Sequence, residues 1–213
     1  MQDTGFCASR PLEPLVYPHG GPMPRVASWA ELESVLDEIF ATRLAFSLKD
    51  IYWDVRPKPE FGTVEVRVFD TPLSVHKAVA LAAFTRACSA LALAGTLRLH
   101  PHAASPSAER VTRFLACRDG LDAQLLDPFN GQWRPARELV ADLFALAHKH
   151  PICPEDARHI AALQAHCQHT QDSTRMRSAQ ARWSLLDGTP SELSTGLPRY
   201  SADMAALLFE PMQ

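Results

Sequence analysis

"IYWDVRPKPEFGTVEVRVFDTP", residues 51–72, decides how the rest of the chain is read. In its second half Thr63, Glu65, Arg67 and Phe69 alternate with Val64, Val66 and Val68, the period of a strand that buries one face. The valines are expected to point inward. Glu65 and Arg67 then share the other face, roughly 6.5 Å apart as successive same-face residues of a strand. The first half repeats the scheme, with Ile51, Trp53 and Val55 on an apolar side and Tyr52, Asp54 and Arg56 opposite. Pro57, Pro59 and Gly62 punctuate "PKPEFG" as a turn, so the two strands are expected to pair antiparallel. Charges of both signs then crowd one sheet face.

That crowding has two explanations. A solvated sheet face carries opposite charges as ordinary cross-strand pairs, each contributing about 0.2–1 kcal/mol. Alternatively, a carboxylate and two guanidinium groups on rigid strands suit a metal-bound polyphosphate. Magnesium takes oxygen ligands from one or two carboxylates plus the phosphates, and arginine offers a planar fork to anionic oxygens. Spacing alone does not separate the two.

Around this stretch the chain is ordinary in composition. Its 213 residues, 46% hydrophobic and 21% charged, suffice for one sizeable core, so a single domain over residues 1–213 is expected. A formal charge of −3 and a pI near 6.3 give no basic stripe, which argues against a nucleic-acid partner. The start, "MQDTGFCASRPLEPLVYPHGGPMP", lacks the basic and apolar regions of a secretory signal. The most apolar window, Ala78 to Leu97, is alanine-rich and interrupted by Arg86, so it reads as a buried helix and not a membrane span. Five cysteines without a C-x-x-C pair point to a reducing cytoplasm.

Helical periodicity dominates the remainder. Ser28 with Glu31 three residues later has capping-box spacing, and Leu32, Val35, Leu36, Ile39 and Phe40 recur at helical intervals, predicting a helix over Trp29 to Phe46. After the strands, Asp70 or Thr71 is the expected cap, and Pro72 the first residue, of a long helix reaching Ala94. A shorter helix breaks at Gly120, "DPFNG" turns a small hairpin around Leu125 and Trp133, and two more helices follow from Arg134 and Pro154. Two or three strands early and about five helices later make an α+β pattern, though two strands alone form a marginal sheet.

The central segment, read as W-D-x-R-P, then F-G-T-x-E-x-R, then D-T-P, resembles the signature of the glutamate-cysteine ligase type 2 family of bacterial carboxylate-amine ligases. "QDTGFCASRP" is similar to that family's substrate loop, and "RFLACRDGLDAQLLDP" to its R-x-x-A-x-R-x-G-L segment followed by an acidic turn. The resemblance runs from Gln2 to about His150, leaving residues 151–213 as a helical tail. Asp119 departs from the pattern where an aromatic residue is usual, and Cys7 where a small one is. Family members are longer and begin with a G-x-E-x-E strand absent from this sequence. The resemblance therefore implies the carboxyl-terminal, helix-rich part of a glutamine-synthetase-like antiparallel sheet with flanking helices.

What the family implies is ATP-dependent amide formation through an acyl phosphate, with ATP and Mg2+ as cofactors. The expected substrates are a small carboxylate, glutamate foremost, and an amine such as that of cysteine. Glu65 is the expected magnesium ligand, while Arg67 and Arg56 are the expected catalytic contacts to phosphate, with Asp54 orienting Arg56. Arg10, Arg118, Thr4 and Ser9 are the expected substrate- or phosphate-binding residues. By this reading the chain alone is an incomplete, inactive fragment, and self-association into a homo-oligomer is left open.

A competing reading rests on "HKHPICPEDARHIAALQAHCQH". Its His148, His150, Cys153, His159, His166, Cys167 and His169 include zinc-ligand types, which would make a non-catalytic zinc-stapled interaction module. Against it, Ile160, Leu163 and Cys167 share a helical face as core residues, and the histidines scatter around the helix.

Overall fold

The computed structural model describes residues 5–72, 74–149, 153–169 and Thr174. These fall into two compact units, Ser9–Asp70 and the described parts of Met1–Ala8 with Thr71–Gln213. Helices and three separate two-stranded sheets build them, an α+β composition. Among the described residues no helix is long and apolar enough to cross a membrane.

In the first unit, strand β1 (Gly20–Gly21) precedes helix α1 (Trp29–Ala41), followed by β2 (Tyr52–Trp53), β3 (Val55–Lys58) and β4 (Thr63–Val66). Ser28 caps α1, its hydroxyl accepting the Glu31 N–H at 3.2 Å. The helix stops at Ala41, short of the expected Phe46, because Arg43 adopts a left-handed φ of 60°. Leu32, Ala45, Ile51 and Trp53 form the core, with Val35, Leu36, Ile39 and Phe40 packed against it.

β3 and β4 pair antiparallel as expected, with Arg56 opposite Glu65 and Val55 opposite Val66. The turn closes through Gly62, whose φ of 61° is left-handed. Ile51 and Trp53 are buried as expected, but beyond them the expected sidedness fails. Arg56 is 4% exposed while Val64 is 62% exposed. The cause is a bend at Asp54. Its N–H donates to Gly21 O at 2.8 Å, ending the parallel pairing of β2 with β1, and its carbonyl accepts the Arg67 N–H at 2.7 Å, opening the pairing with β4. Trp53 and Asp54 are therefore both buried although adjacent, and Arg56 takes a buried place while Val55 and Val64 are exposed.

In the second unit α2 (Val75–Leu93), α3 (Pro106–Asp119), β5 (Gln124–Leu126), β6 (Trp133–Pro135), α4 (Ala136–Lys149) and α5 (Pro154–His169) follow in order. The long helix starts at Val75 and not at Pro72, because Ser74 is the residue whose hydroxyl accepts the Lys77 N–H, at 3.2 Å. Ala80, Ala83 and Ala87 form a small-residue stripe on α2, against which Phe144 of α4 and Ile160 and Leu163 of α5 pack. β5 and β6 form the expected hairpin around "DPFNG".

The Cys/His segment finds other partners. His148 bonds Gln164 at 2.9 Å, the buried His166 lies 3.4 Å from Lys77 Nζ, Cys153 Sγ accepts from Arg86 at 3.4 Å, and Cys167 packs on the core. His150 lies outside the described residues. Among the described residues no three His, Cys, Asp or Glu side chains converge to hold a metal ion, so the zinc-module reading gains no support.

Candidate functional site

The β3–β4 hairpin carries its charges into one cluster. Glu65 Oε2 lies 2.8 Å from Arg56 Nη2 and 3.9 Å from Lys58 Nζ, and Oε1 lies 3.5 Å from Arg67 Nη1. Lys58 also faces Glu60 at 3.6 Å, so three cations outnumber two carboxylates. Burial pushes the Glu65 carboxyl upward. The hydrogen bond from Arg56 and the charges of Arg56, Arg67 and Lys58 outweigh it and hold the group below its usual range. Glu65 is thus a carboxylate at neutral pH within an excess of positive charge.

The two arginines of this cluster are used differently. Arg56 Nη1 donates to the carbonyls of Leu48 at 2.8 Å, Lys49 at 3.2 Å and Ile51 at 2.9 Å, while Nε and Nη2 reach Glu65 at 3.3 and 2.8 Å. Those carbonyls belong to the short 3-10 helix Leu48–Asp50 and the residue that ends it; Leu48 O also takes the Ile51 N–H at 3.3 Å, and carbonyls at a helix end have acceptor capacity left for the guanidinium. Arg56 therefore caps that helix and fixes Glu65. Arg67 is open by comparison. Among the described residues its guanidinium meets the Glu65 carboxylate, beyond hydrogen-bond length, and the Tyr52 ring 5.5 Å below it.

Lys58 is a cation that the sequence reading left inside the turn. It is the next residue on the Arg56 face of β3, and that period-two spacing was the signal that could have found it.

Asp54 is buried at the bend, and the Arg56 guanidinium bonds Glu65 and the three carbonyls. Ser9 and Arg10 are exposed at the start of their unit. The Arg10 N–H donates to Asp70 Oδ1 at 3.2 Å, tying the "ASRP" segment to "FDTP", and the Ser9 carbonyl accepts the Leu12 N–H at 2.9 Å. Thr4 lies outside the described residues.

Arg118 belongs to the other unit. At the end of α3 it grips the neighbouring Asp119 with both arms of its fork, Nε at 2.8 Å and Nη2 at 2.7 Å, and lies over the Phe114 ring. The Cys7 and Ala8 N–H groups donate to Cys117 O at 2.8 and 2.9 Å, and Phe6 meets Phe114 edge-on at 5.7 Å. The "GFCA" part of the first motif is thereby laid against the third. Cys117 stands in the last turn of α3, where helix-end carbonyls accept donors from outside the helix.

Comparison with known proteins places these segments in context. The chain matches the family model described as glutamate-cysteine ligase family 2 over residues 2–189. It is similar to proteins that carry the provisional name glutamate–cysteine ligase 2. The one from Paracidovorax citrulli is 41% identical over 142 residues, covering 65% of this chain and 37% of the relative. That from Methylibium petroleiphilum is 40% identical over 151 residues, covering 71% and 40%. A third, from Polaromonas naphthalenivorans, is 33% identical over 191 residues, covering 87% and 49%. The matched stretch spans less than half the length of each of these relatives.

Proposed function

This chain belongs to glutamate-cysteine ligase family 2, and from that membership we propose that it serves ATP-dependent ligation of a small carboxylate to an amine. Glutamate is the proposed carboxylate and cysteine the proposed amine, in a cytoplasmic setting that the five cysteines suit. The observation that carries this reading is the open Arg67 fork beside Glu65 and Lys58, on the hairpin that bears the family-like motifs.

In the proposed reaction a carboxylate oxygen of the first substrate takes the γ-phosphoryl group of ATP as the bond from its phosphorus to the bridging oxygen breaks and ADP leaves. The amine nitrogen then attacks the acyl carbon, the bond to the phosphate oxygen breaks, and the nitrogen gives up a proton. Such chemistry needs positioning and neutralised charge more than a protein nucleophile. Arg67 and Lys58 bind and neutralise phosphoryl oxygens, and Arg56 holds Glu65 in place.

The donor set fits magnesium in one respect. Glu65 supplies a hard oxygen, and the surplus of cations around it favours a magnesium ion that arrives with an anionic nucleotide over a bare ion. When bound, the metal would spread the polyphosphate charge. We place its further carboxylate ligands outside the described residues, on a glutamine-synthetase-like sheet to which β3 and β4 contribute.

The test is ADP release with magnesium, ATP, glutamate and cysteine. This chain alone should release little, and the chain joined to the remaining length of a relative should release ADP only when both glutamate and cysteine are present. Release indifferent to both would overturn the reading.

A further inference from the structure

The Arg67 guanidinium makes no hydrogen bond to any described residue; Glu65 faces it at 3.5 Å as a longer ion pair, and its side chain is only 21% exposed. A long flexible side chain in that situation needs another source of order, since fixing a rotamer-rich side chain costs up to about 2 kcal/mol of entropy. Its surroundings supply a stack of rings. The guanidinium lies over Tyr52 at 5.5 Å, and Tyr52 stacks on Tyr17 with centroids 4.8 Å apart and planes 19° apart.

The backbone beneath the stack is built for close approach. Tyr52 N–H donates to His19 O at 2.9 Å, and β1 pairs Gly20 with Tyr52. Tyr17 closes the 3-10 helix Glu13–Val16, its N–H bonded to Pro14 O at 3.1 Å. A Cβ on Gly20 would stand 1.9 Å from Pro14 O, so only glycine lets this helix lie against β1 and bring Tyr17 onto Tyr52.

We infer that Tyr52, braced by Tyr17, is the positioning residue for Arg67, holding its fork in place by ring contact while leaving the N–H donors free for a phosphoryl anion. A ring face attracts a guanidinium electrostatically without occupying its in-plane donors, whereas a carboxylate at hydrogen-bond distance, closer than Glu65 stands, would occupy them. Arg56 shows the contrasting arrangement, with its donors spent on protein oxygens. The inference rests on the proposed role of Arg67 as a phosphate contact.

The experiment uses the whole 213-residue chain and two readouts. The first is the Nε–H resonance of Arg67 in 15N-labelled protein, which the ring current of Tyr52 displaces from the position of a solvated arginine. The second is titration with inorganic tripolyphosphate. Tyr52→Phe should keep both the displaced resonance and the affinity. Tyr52→Leu should return the resonance to the solvated position and weaken binding about two- to fivefold, the range for an exposed cation–ring contact. Tyr17→Leu, which keeps the Tyr52 ring, should shift both in the same direction by less, and serves as the test if Tyr52→Leu lowers the Tm. An unchanged Arg67 resonance in Tyr52→Leu would overturn the inference. Tripolyphosphate binding that survives Arg67→Ala would overturn the phosphate role of Arg67 and leave the resonance result standing by itself.

Discussion

Arg56 and Glu65 stand directly opposite each other across the β3–β4 hairpin and share a 2.8 Å bond, with Arg56 also spanning three main-chain carbonyls. This buried fork joins the hairpin to the helix before it. Arg56→Ala would remove the guanidinium bonds to those carbonyls and to Glu65 and is expected to destabilise the unit by about 3 kcal/mol, read as a shift in the urea midpoint. Arg56→Lys should recover only part of this, because one ammonium cannot reach Glu65 and the carbonyls together.

Glu65→Gln keeps the strand and removes the charge. In a complete enzyme turnover should fall by orders of magnitude, with far-ultraviolet circular dichroism unchanged. Arg67→Lys should also lower turnover with little change in Tm, since an ammonium does not reproduce the planar fork. Wild-type turnover in Glu65→Gln would return the cluster to an ordinary cross-strand network.

Asp127 gives a pH dependence with a definite sign. Burial raises its pKa, but the N–H groups of Phe129 and Asn130 and the guanidinium of Arg134, 3.0 Å away, outweigh burial and hold it below its ordinary value of 3.8. A group whose folded pKa is depressed contributes stability above its unfolded pKa and loses it as pH falls toward the folded one. Urea midpoints should therefore decline as pH drops below about 4. Asp127→Asn should lower stability at pH 7 by about 1–2 kcal/mol and flatten that decline. A decline of unchanged steepness would assign it to other carboxylates.

Asp119 occupies the Arg118 fork that a substrate carboxylate would need. The pair is at the surface, where such bonds are readily exchanged for solvent or another anion. Asp119→Asn should leave Tm unchanged and raise the affinity for glutamate a few-fold, measured by chemical-shift titration of the α3 end. No change would mean that Arg118 does not take the carboxylate.

The local elements were legible in the chain itself. Helical periodicity marked α1, α2, α4 and α5, Ser28 marked the start of α1, and the Pro/Gly turn at residues 57–62 marked an antiparallel pair. These follow from short-range sterics and hydrogen bonding, which depend on neighbours in sequence. Alternation likewise established that Glu65 and Arg67 share a side, and the family motifs pointed to the hairpin.

Which side faces the core was decided elsewhere. Periodicity groups residues by face but does not say which face is buried. Here the helix-end carbonyls of Leu48, Lys49 and Ile51 hold Arg56 inward, and the exchange of strand partners at Asp54 turned the valines Val55 and Val64 outward. The same distinction separates Arg56 from Arg67, two arginines alike in sequence setting. One is spent on main-chain oxygens and the other is held by a ring, because the groups that meet them are brought there by the tertiary fold.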